Sequence, residues 1–316
     1  MSFDNQKDEL LWAQKYRPRK VQDTILPAKT KAIFQKFVDS KEVPNLLLSG
    51  PPGTGKTTSA VAMLQELECD YIIINGSLNG GIDTLRYEIA NFASSVSFSG
   101  KRKYVIIDEA DYLTPTTQAS FRNFIEEFSK NCGFIFTCNF KNRIIEPLHG
   151  RFSSIDFSID KAEKPQIAAQ FFKRVIGILE TENINFDKKV VAKIIEKYFP
   201  DFRRVLNELQ YYAASGSIDA GMLINAKLDS LDELFELLKI KDFKGMRKWC
   251  SDNSDQDASE IYRKFFEVSD TKVQESSMPG VIITLGEYQY KHAFVADSEI
   301  NMVACFTEIM FEAQFK

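Results

Sequence analysis

The chain has 316 residues, 44% of them hydrophobic and 27% charged, with a formal net charge of −4. That is the balance of a globular protein of two or three domains, and it excludes a uniformly basic nucleic-acid binder. Two histidines and five scattered cysteines without a C-x-x-C pair argue against a His-based metal site, a Ser/His triad, zinc and a disulfide framework, and for a reducing interior.

The polar start, Met1 to Lys7, lacks the apolar centre of a signal peptide. No apolar run approaches the roughly 20 residues of a membrane span. Residues 1–41 hold nine Lys/Arg against five Asp/Glu, a local basic excess that also suits an ordinary solvated face. Leu46-Leu47-Leu48 then reads as a short buried strand. It runs into Gly50-Pro51-Pro52-Gly53-Thr54-Gly55-Lys56-Thr57, a complete G-x-x-x-x-G-K-[ST] loop, and Thr58 to Leu67 reads as an amphipathic helix. Glycines at these places let backbone N–H groups turn inward toward a phosphate chain, and the helix N-terminus adds its positive end. Pro52, Gly53, Thr54, Gly55, Lys56, Thr57 and Thr58 are therefore the candidate nucleotide contacts, with Lys56 on the β- and γ-phosphates and Thr57 on Mg²⁺. A Gly/Pro-rich surface turn is the alternative, and it gives no reason for a strand before the loop and a helix after it.

Tyr71 to Ile74, Tyr104 to Ile107, Phe134 to Thr137 and Ile155 to Phe157 are further short apolar runs. Helical spacing lies between them, as in Asp83 to Phe92 and Thr116 to Phe128. Continuous apolar strands alternating with helices predict an α/β parallel sheet covered on both faces, over residues 1–157, with ligands at the C-terminal edge of the strands. The third run ends in Asp108-Glu109-Ala110-Asp111, which places two acids at a strand tip beside the loop. Asp108 is expected to hold Mg²⁺ with Thr57, and Glu109 to orient or deprotonate the attacking water. Asn139, at the next tip, is placed to sense the γ-phosphate, although Asn at a strand end is also a common turn former. The four letters of the acidic box also name a helicase family. The further motifs of those helicases are missing, and no second alternating sheet follows residue 160.

Beyond Asp160 the pattern predicts helices only: Ala162 to Leu179, Lys188 to Tyr198 and Phe202 to Ala213, joined at Asn183-Ile184-Asn185, Phe199-Pro200-Asp201 and Ser215-Gly216-Ser217. Leu231 to Leu238 and Ile300 to Phe311 are the clearest helices of the remainder, with Tyr288 to His292 read as a polar joint. Helix starts at Asn79-Gly80-Gly81 and at Thr114-Pro115-Thr116 present backbone N–H groups and hydroxyls of the kind that bind phosphate, and Thr114, Thr116 and Asp83 serve equally as ordinary caps. Gln118 and Arg122, at i and i+4, are candidates to relay such a contact to Glu109. Phe92 to Phe98 is an apolar loop between a helix and the Tyr104 strand, and its two phenylalanines equally suit inward packing.

Phosphate loop, acidic box, strand-tip Asn and helical lid together resemble the AAA+ ATPases. Trp12-Ala13-Gln14-Lys15-Tyr16-Arg17-Pro18 resembles the W-x-x-K-Y-R-P motif of the sliding-clamp loaders, and Pro200-Asp201-Phe202-Arg203-Arg204 their Gly-Asp-x-Arg-Arg lid helix. The overall pattern is similar to the repeated ATPase subunit of the bacteriophage loaders. Leu148-His149-Gly150-Arg151-Phe152 stands where that family carries Ser-Arg-Cys, so Gly150 and Phe152 are departures, as is Pro200 for Gly. The resemblance implies an α/β AAA+ domain (1–157), a helical lid (158–228) and a helical collar for oligomerisation (229–316). It implies ATP and Mg²⁺ as ligands, nucleotide contacts from Trp12, Tyr16 and Arg17, Arg203 acting on the nucleotide of its own chain, and Arg151 acting in trans on a neighbour's. It further implies as partners a sliding clamp, approached by an apolar wedge at Phe92 to Phe98, primer–template DNA bound without sequence preference at the helix starts Asn79, Gly80, Gly81, Thr114 and Thr116, identical subunits and one different loader subunit. The expected place is the cytoplasm, that of the host cell if the chain is phage-encoded. Another AAA+ DNA motor, such as a branch-migration ATPase, and a weakly hydrolysing ATP-binding scaffold remain the alternatives.

Overall fold

In the computed structural model, residues 10–77, 82–97, 100–214, 216–219, 231–254 and 258–316 are described. The apolar runs form β1 (Leu46–Ser49), β2 (Tyr71–Asn75), β3 (Lys103–Asp108), β4 (Cys132–Cys138) and β5 (Ser153–Asp156), with short helices α1 (Trp12–Lys15) before the first and α6 (Glu146–His149) before the last. They pair in the order β2-β3-β4-β1-β5, parallel throughout. The runs are continuously apolar because alternate residues feed two cores. Leu47, Val105, Ile107, Phe134 and Phe136 enter one core, with Leu85 and Ile89 from α4 (Ile82–Ser94) and Phe121 and Phe124 from α5 (Pro115–Glu127). Leu46, Leu48, Tyr104, Ile106 and Ile135 enter the other, with Phe34 from α2 (Ala28–Ser40) and Val61, Met63 and Leu64 from α3 (Lys56–Glu66). A period of two laid over helices on both faces makes this pattern obligatory. Parallel strands also bring all their C-terminal ends to one edge, where β1, β3 and β4 deliver the phosphate loop, the acidic box and Asn139.

Phe152, which replaces the family's cysteine, is a core residue. Its ring lies 4.6 Å from that of Phe136, which sits 5.0 Å from Phe121. Phe92 packs against the same core under the Lys103 ammonium, 5.0 Å from its ring centre, whereas Val96 is exposed. Lys103 is itself buried and donates to the carbonyls of Phe92 and Ser95, closing the C-terminal end of α4 with a cation. Phe98 lies outside the described residues.

The lid helices are α7 (Lys164–Thr181), α8 (Lys188–Tyr198) and α9 (Phe202–Ala213). The expectation of helices only beyond Asp160 needs one correction: Asn185–Phe186 (β6) and Ser217–Ile218 (β7) pair in parallel. They tie together two joints that the sequence marks only as turns, since a two-residue strand has no periodicity to detect.

The chain divides into two compact units, Met1–Ala220 and Gly221–Lys316. In the second, helices Leu231–Lys239, Phe243–Asp252, Ala258–Lys272, Met278–His292 and Ser298–Glu312 surround a core that includes Phe235, Trp249, Tyr262, Phe265 and Phe306. Tyr288 to His292 is not a joint but the end of a helix. Pro279 and Gly280 read as breakers in sequence, yet Pro279 occupies the first turn, where its missing N–H has no partner to lose. Tyr288 packs on the core, the His292 ring meets Tyr262 edge-on at 6.4 Å, and Tyr290 is exposed. Among the described residues no helix is long and apolar enough to cross a membrane.

Candidate active site

A cleft at the C-terminal edge of the sheet is lined by the phosphate loop, the strand tips, the segment 13–18 and the lid helices. Gly53 (φ +71°) and Gly55 (φ +90°) take the left-handed backbone that the loop's curl requires, and α3 starts on the latter. Lys56 is buried and donates to Gly50 O at 2.7 Å, Pro51 O at 2.8 Å and Asn139 Oδ1 at 2.9 Å. These acceptors hold the ammonium at the mouth of the loop, while burial lowers its pKa from 10.5 to about 8.

That shift gives a pH prediction. Affinity for ADP is expected to hold steady below about pH 8 and to fall as pH rises through it, because the free chain then loses the charge the phosphates require. Folding stability runs the other way. Between about pH 8 and 10.5 the unfolded chain still binds the proton that the folded chain has released, so stability rises with pH there. Calorimetric titration with ADP across this range checks the first effect, and an affinity flat through about pH 10 contradicts it.

Thr57 Oγ1 donates to Asp108 Oδ1 at 2.6 Å, and Thr137 Oγ1 donates to the same oxygen at 2.5 Å. Thr137 also accepts from Glu109 N at 3.1 Å. The threonine thus sets both acids. Sequence reading missed it, and its only signal is a hydroxyl inside the apolar run of β4. Glu109 adopts φ +57°, ψ +44°, a left-handed conformation costing a non-glycine residue about 1–2 kcal/mol. Gly76 N donates to Asp108 O at 2.7 Å, and a Cβ on Gly76 would lie 2.7 Å from Glu109 O, so the strained turn is held by a close backbone approach. The Glu109 side chain lines the cleft and takes no hydrogen bond from the described residues. Asp111, the last letter of the acidic box, is buried and accepts from Asn139 N and Phe140 N, both at 3.0 Å. Its work is to place Asn139.

Pro52, Gly53, Gly55, Lys56, Thr57, Thr58, Asp108, Glu109, Asn139, Tyr16, Arg17 and Arg203 all line the cleft. Thr54 is buried beneath the loop, with its hydroxyl on Pro51 O at 2.9 Å. Trp12 is not among the lining residues. It is buried, and its backbone N donates to Gln210 Oε1 of α9 at 2.8 Å, which fastens the start of the segment that carries Tyr16 and Arg17 to the lid. Arg151 stands away from the cleft, donating to Pro147 O at 2.9 Å and to Glu126 Oε1 at 2.7 Å. Arg174, Phe171 and Ile178 of the lid complete the wall; sequence reading placed them on a helix but gave them no role. Arg17 Nε is buried at the cleft with no hydrogen-bond partner among the described residues.

Thr114 caps α5, accepting from Thr117 N at 3.2 Å, and Thr116 is exposed. Asn79, Gly80 and Gly81 lie outside the described residues. Gln118 is fully buried: it donates to Leu113 O and Arg143 O, both at 3.0 Å, and accepts from Ile145 N at 2.9 Å.

A cleft of this composition, at this edge of a sheet of this order, defines a nucleoside-triphosphate hydrolase. Residues 46–159 match the ATPase family associated with various cellular activities (AAA), and residues 163–224 match the sliding-clamp-loader large subunit, AAA+ ATPase lid domain. The chain is 35% identical to the sliding-clamp-loader large subunit of Enterobacteria phage T4 over 99% of both chains, and 34% identical to that of Escherichia phage RB69, again over 99% of both. It is 30% identical to the replication factor C small subunit of Archaeoglobus fulgidus, over 93% of this chain and 95% of that one. Among solved structures, RuvB variants of Thermotoga maritima share the fold at 16–17% identity. Two of them have TM-scores of 0.54 and 0.55, over 80% of this chain and 81% and 78% of theirs. The chain belongs to the AAA+ ATPases of the sliding-clamp-loader large-subunit family, and it is an ATP-hydrolysing enzyme.

Proposed function

We propose that this chain is the ATPase subunit of a sliding-clamp loader, in which ATP binding sets a spiral of subunits that grips an opened clamp and primer–template DNA triggers the hydrolysis that releases it. The observation that carries the reading is the seating of the lid on the phosphate loop. Phe202 N, at the start of α9, donates to Gly53 O at 3.1 Å, and a Cβ on Gly53 would meet Asp201 Oδ1 at 1.7 Å. A lid seated on the phosphate loop in this way moves with the loop, which suits a machine that changes shape with nucleotide.

Within this reading Lys56 neutralises the β- and γ-phosphates, Asn139 senses the γ-phosphate, and Arg203 reaches the same nucleotide from the lid. Thr57 and Asp108 are the residues that would hold Mg²⁺. A hydroxyl and one carboxylate fit an ion that takes its other oxygens from phosphate and water, and no cluster of three or more His, Cys, Asp or Glu competes among the described residues. Mg²⁺ there supplies charge neutralisation across the phosphates. Glu109 orients and deprotonates water. Arg151 exchanges Glu126 for the phosphates of a neighbouring subunit, and Thr114 and Thr116 offer hydroxyls to the DNA backbone. The division into ATPase domain (1–157), lid (158–228) and collar (229–316) belongs to the same reading, as do the clamp, a second kind of loader subunit and a cytoplasmic site of action, that of the host cell for a phage-encoded chain. No observation favours a branch-migration motor or a weak-hydrolysis scaffold: the RuvB likeness is one of fold alone.

The test is ATP-dependent placement of the clamp on primed circular DNA by the chain assembled with its partner subunit. Loading is expected with the wild-type chain. Arg151→Ala is expected to keep ADP binding and to lose at least ~tenfold in turnover in that complex. Loading that proceeds without nucleotide contradicts the function, and wild-type turnover by the arginine variant contradicts the trans role.

A further inference from the structure

The segment that walls the cleft opposite the phosphate loop is fastened to the lid. Trp12 N donates to Gln210 Oε1 at 2.8 Å, and Gln210 Nε2 returns to Leu10 O at 2.5 Å. Arg174 Nη2, on α7, donates to Tyr16 O at 3.0 Å. Just past the end of α7, one oxygen of Glu182 accepts from Lys15 Nζ at 2.6 Å and from Tyr16 OH at 2.5 Å. Ala13, Tyr16, Pro18, Ile25 and Ile178 give the cleft an apolar lining that suits a nucleoside, with the cations of Arg17 and Arg174 among them.

We propose that Glu182 is a positioning residue for nucleotide binding: by holding Lys15 and Tyr16 together, its carboxylate makes the nucleoside-side wall of the cleft part of the lid. The inference rests on the reading of this cleft as the ATP site. Glu182 itself does not line the cleft, so its effect on a ligand passes through Tyr16 and its neighbours. The hydrogen bonds from Lys15 and Tyr16 hold the Glu182 carboxyl below the usual carboxylate range, and burial with the Glu182 bond pushes the Tyr16 phenol up to about 12. The Glu182 anion and the neutral Tyr16 phenol thus coexist at neutral pH, the combination in which a carboxylate oxygen accepts strongly from a hydroxyl. Two consequences follow from geometry. A ligand that orders the 13–18 wall also orders α7, and a lid displaced from the cleft carries the nucleoside wall with it.

The experiment is calorimetric titration of the full-length chain and its Glu182→Ala and Glu182→Gln variants with two probes, ADP and inorganic tripolyphosphate. Glu182→Ala is expected to weaken ADP about tenfold and leave tripolyphosphate within about twofold, because only the nucleoside wall is loosened. Glu182→Gln keeps the shape and one acceptor, and is expected to fall between; it carries the test if the alanine variant does not fold. Tyr16→Phe added to Glu182→Ala is expected to cost less than the two separate losses combined, since both remove one contact. Unchanged ADP affinity in both Glu182 variants overturns the proposal, as does an equal loss for ADP and tripolyphosphate, which marks general damage to the site. A wild-type chain that binds neither probe overturns the ATP-site reading and this inference with it.

Discussion

Lys56→Met is expected to remove nucleotide binding from the full chain, raising the Kd for ADP at least ~100-fold. The ammonium is the cationic side chain buried at the loop, held by Gly50 O, Pro51 O and Asn139 Oδ1. Methionine keeps the unbranched apolar stem and falls one atom short of the ammonium, so the substitution removes charge and donors with little change in packing. Folding is expected to survive: the three acceptors lose a partner, but a buried cation whose pKa burial lowers no longer has to be desolvated. Calorimetry with ADP and a thermal melt together check this. A variant that melts like wild type and binds ADP as tightly would show that the loop is not the phosphate site.

Glu109→Gln has the second large effect, in the opposite compartment of the kinetics. Turnover is expected to fall by ~100-fold or more while ATP affinity stays within a few-fold. The two acids of the box are held differently. Asp108 is committed to Thr57 and Thr137, whereas Glu109 turns out of the strand through a left-handed residue and leaves its carboxylate to the cleft. Glutamine preserves the size and removes the base. Single-turnover hydrolysis alongside an ATP-binding titration separates the two constants. Equal loss of both would mean that Glu109 holds ligand rather than activating water.

The sheet was legible because its information is local and redundant. Leu46-Leu47-Leu48 before a Gly-rich loop and Tyr104 to Ile107 before two acids each combine period, turn chemistry and position. The phosphate loop was legible residue by residue for the same reason. What was not legible depends on partners far along the chain. Thr137 sits 29 positions from Asp108, and nothing in its neighbours announces that it sets both acids. Asp111 read as one more acid of the box, yet its two acceptor bonds to the backbone of residues 139 and 140 are structural. The left-handed turn at Glu109 is invisible in a sequence that offers neither Gly nor Asn there. Gln118 had surface spacing in sequence and is buried in fact, because the carbonyls of Leu113 and Arg143 and the N–H of Ile145 converge on it. Trp12 reads as a nucleotide contact only through its motif; that it is buried and that its backbone N–H goes to Gln210 of the lid has no signal in the sequence. The helix over 278–292 was obscured by Pro279, Gly280 and Gly286, residues whose local preference the packing of Val281, Leu285 and Tyr288 overrides.

The central claim, that this cleft is a motor answering to DNA and clamp, is met most directly by steady-state ATP hydrolysis in the assembled loader, without DNA, with primer–template DNA, and with the clamp added last. The predicted result is stimulation by primer–template junctions and a further increase with clamp, abolished by Glu109→Gln. A rate indifferent to both DNA and clamp would contradict the account and remove the DNA-facing roles given to Thr114 and Thr116.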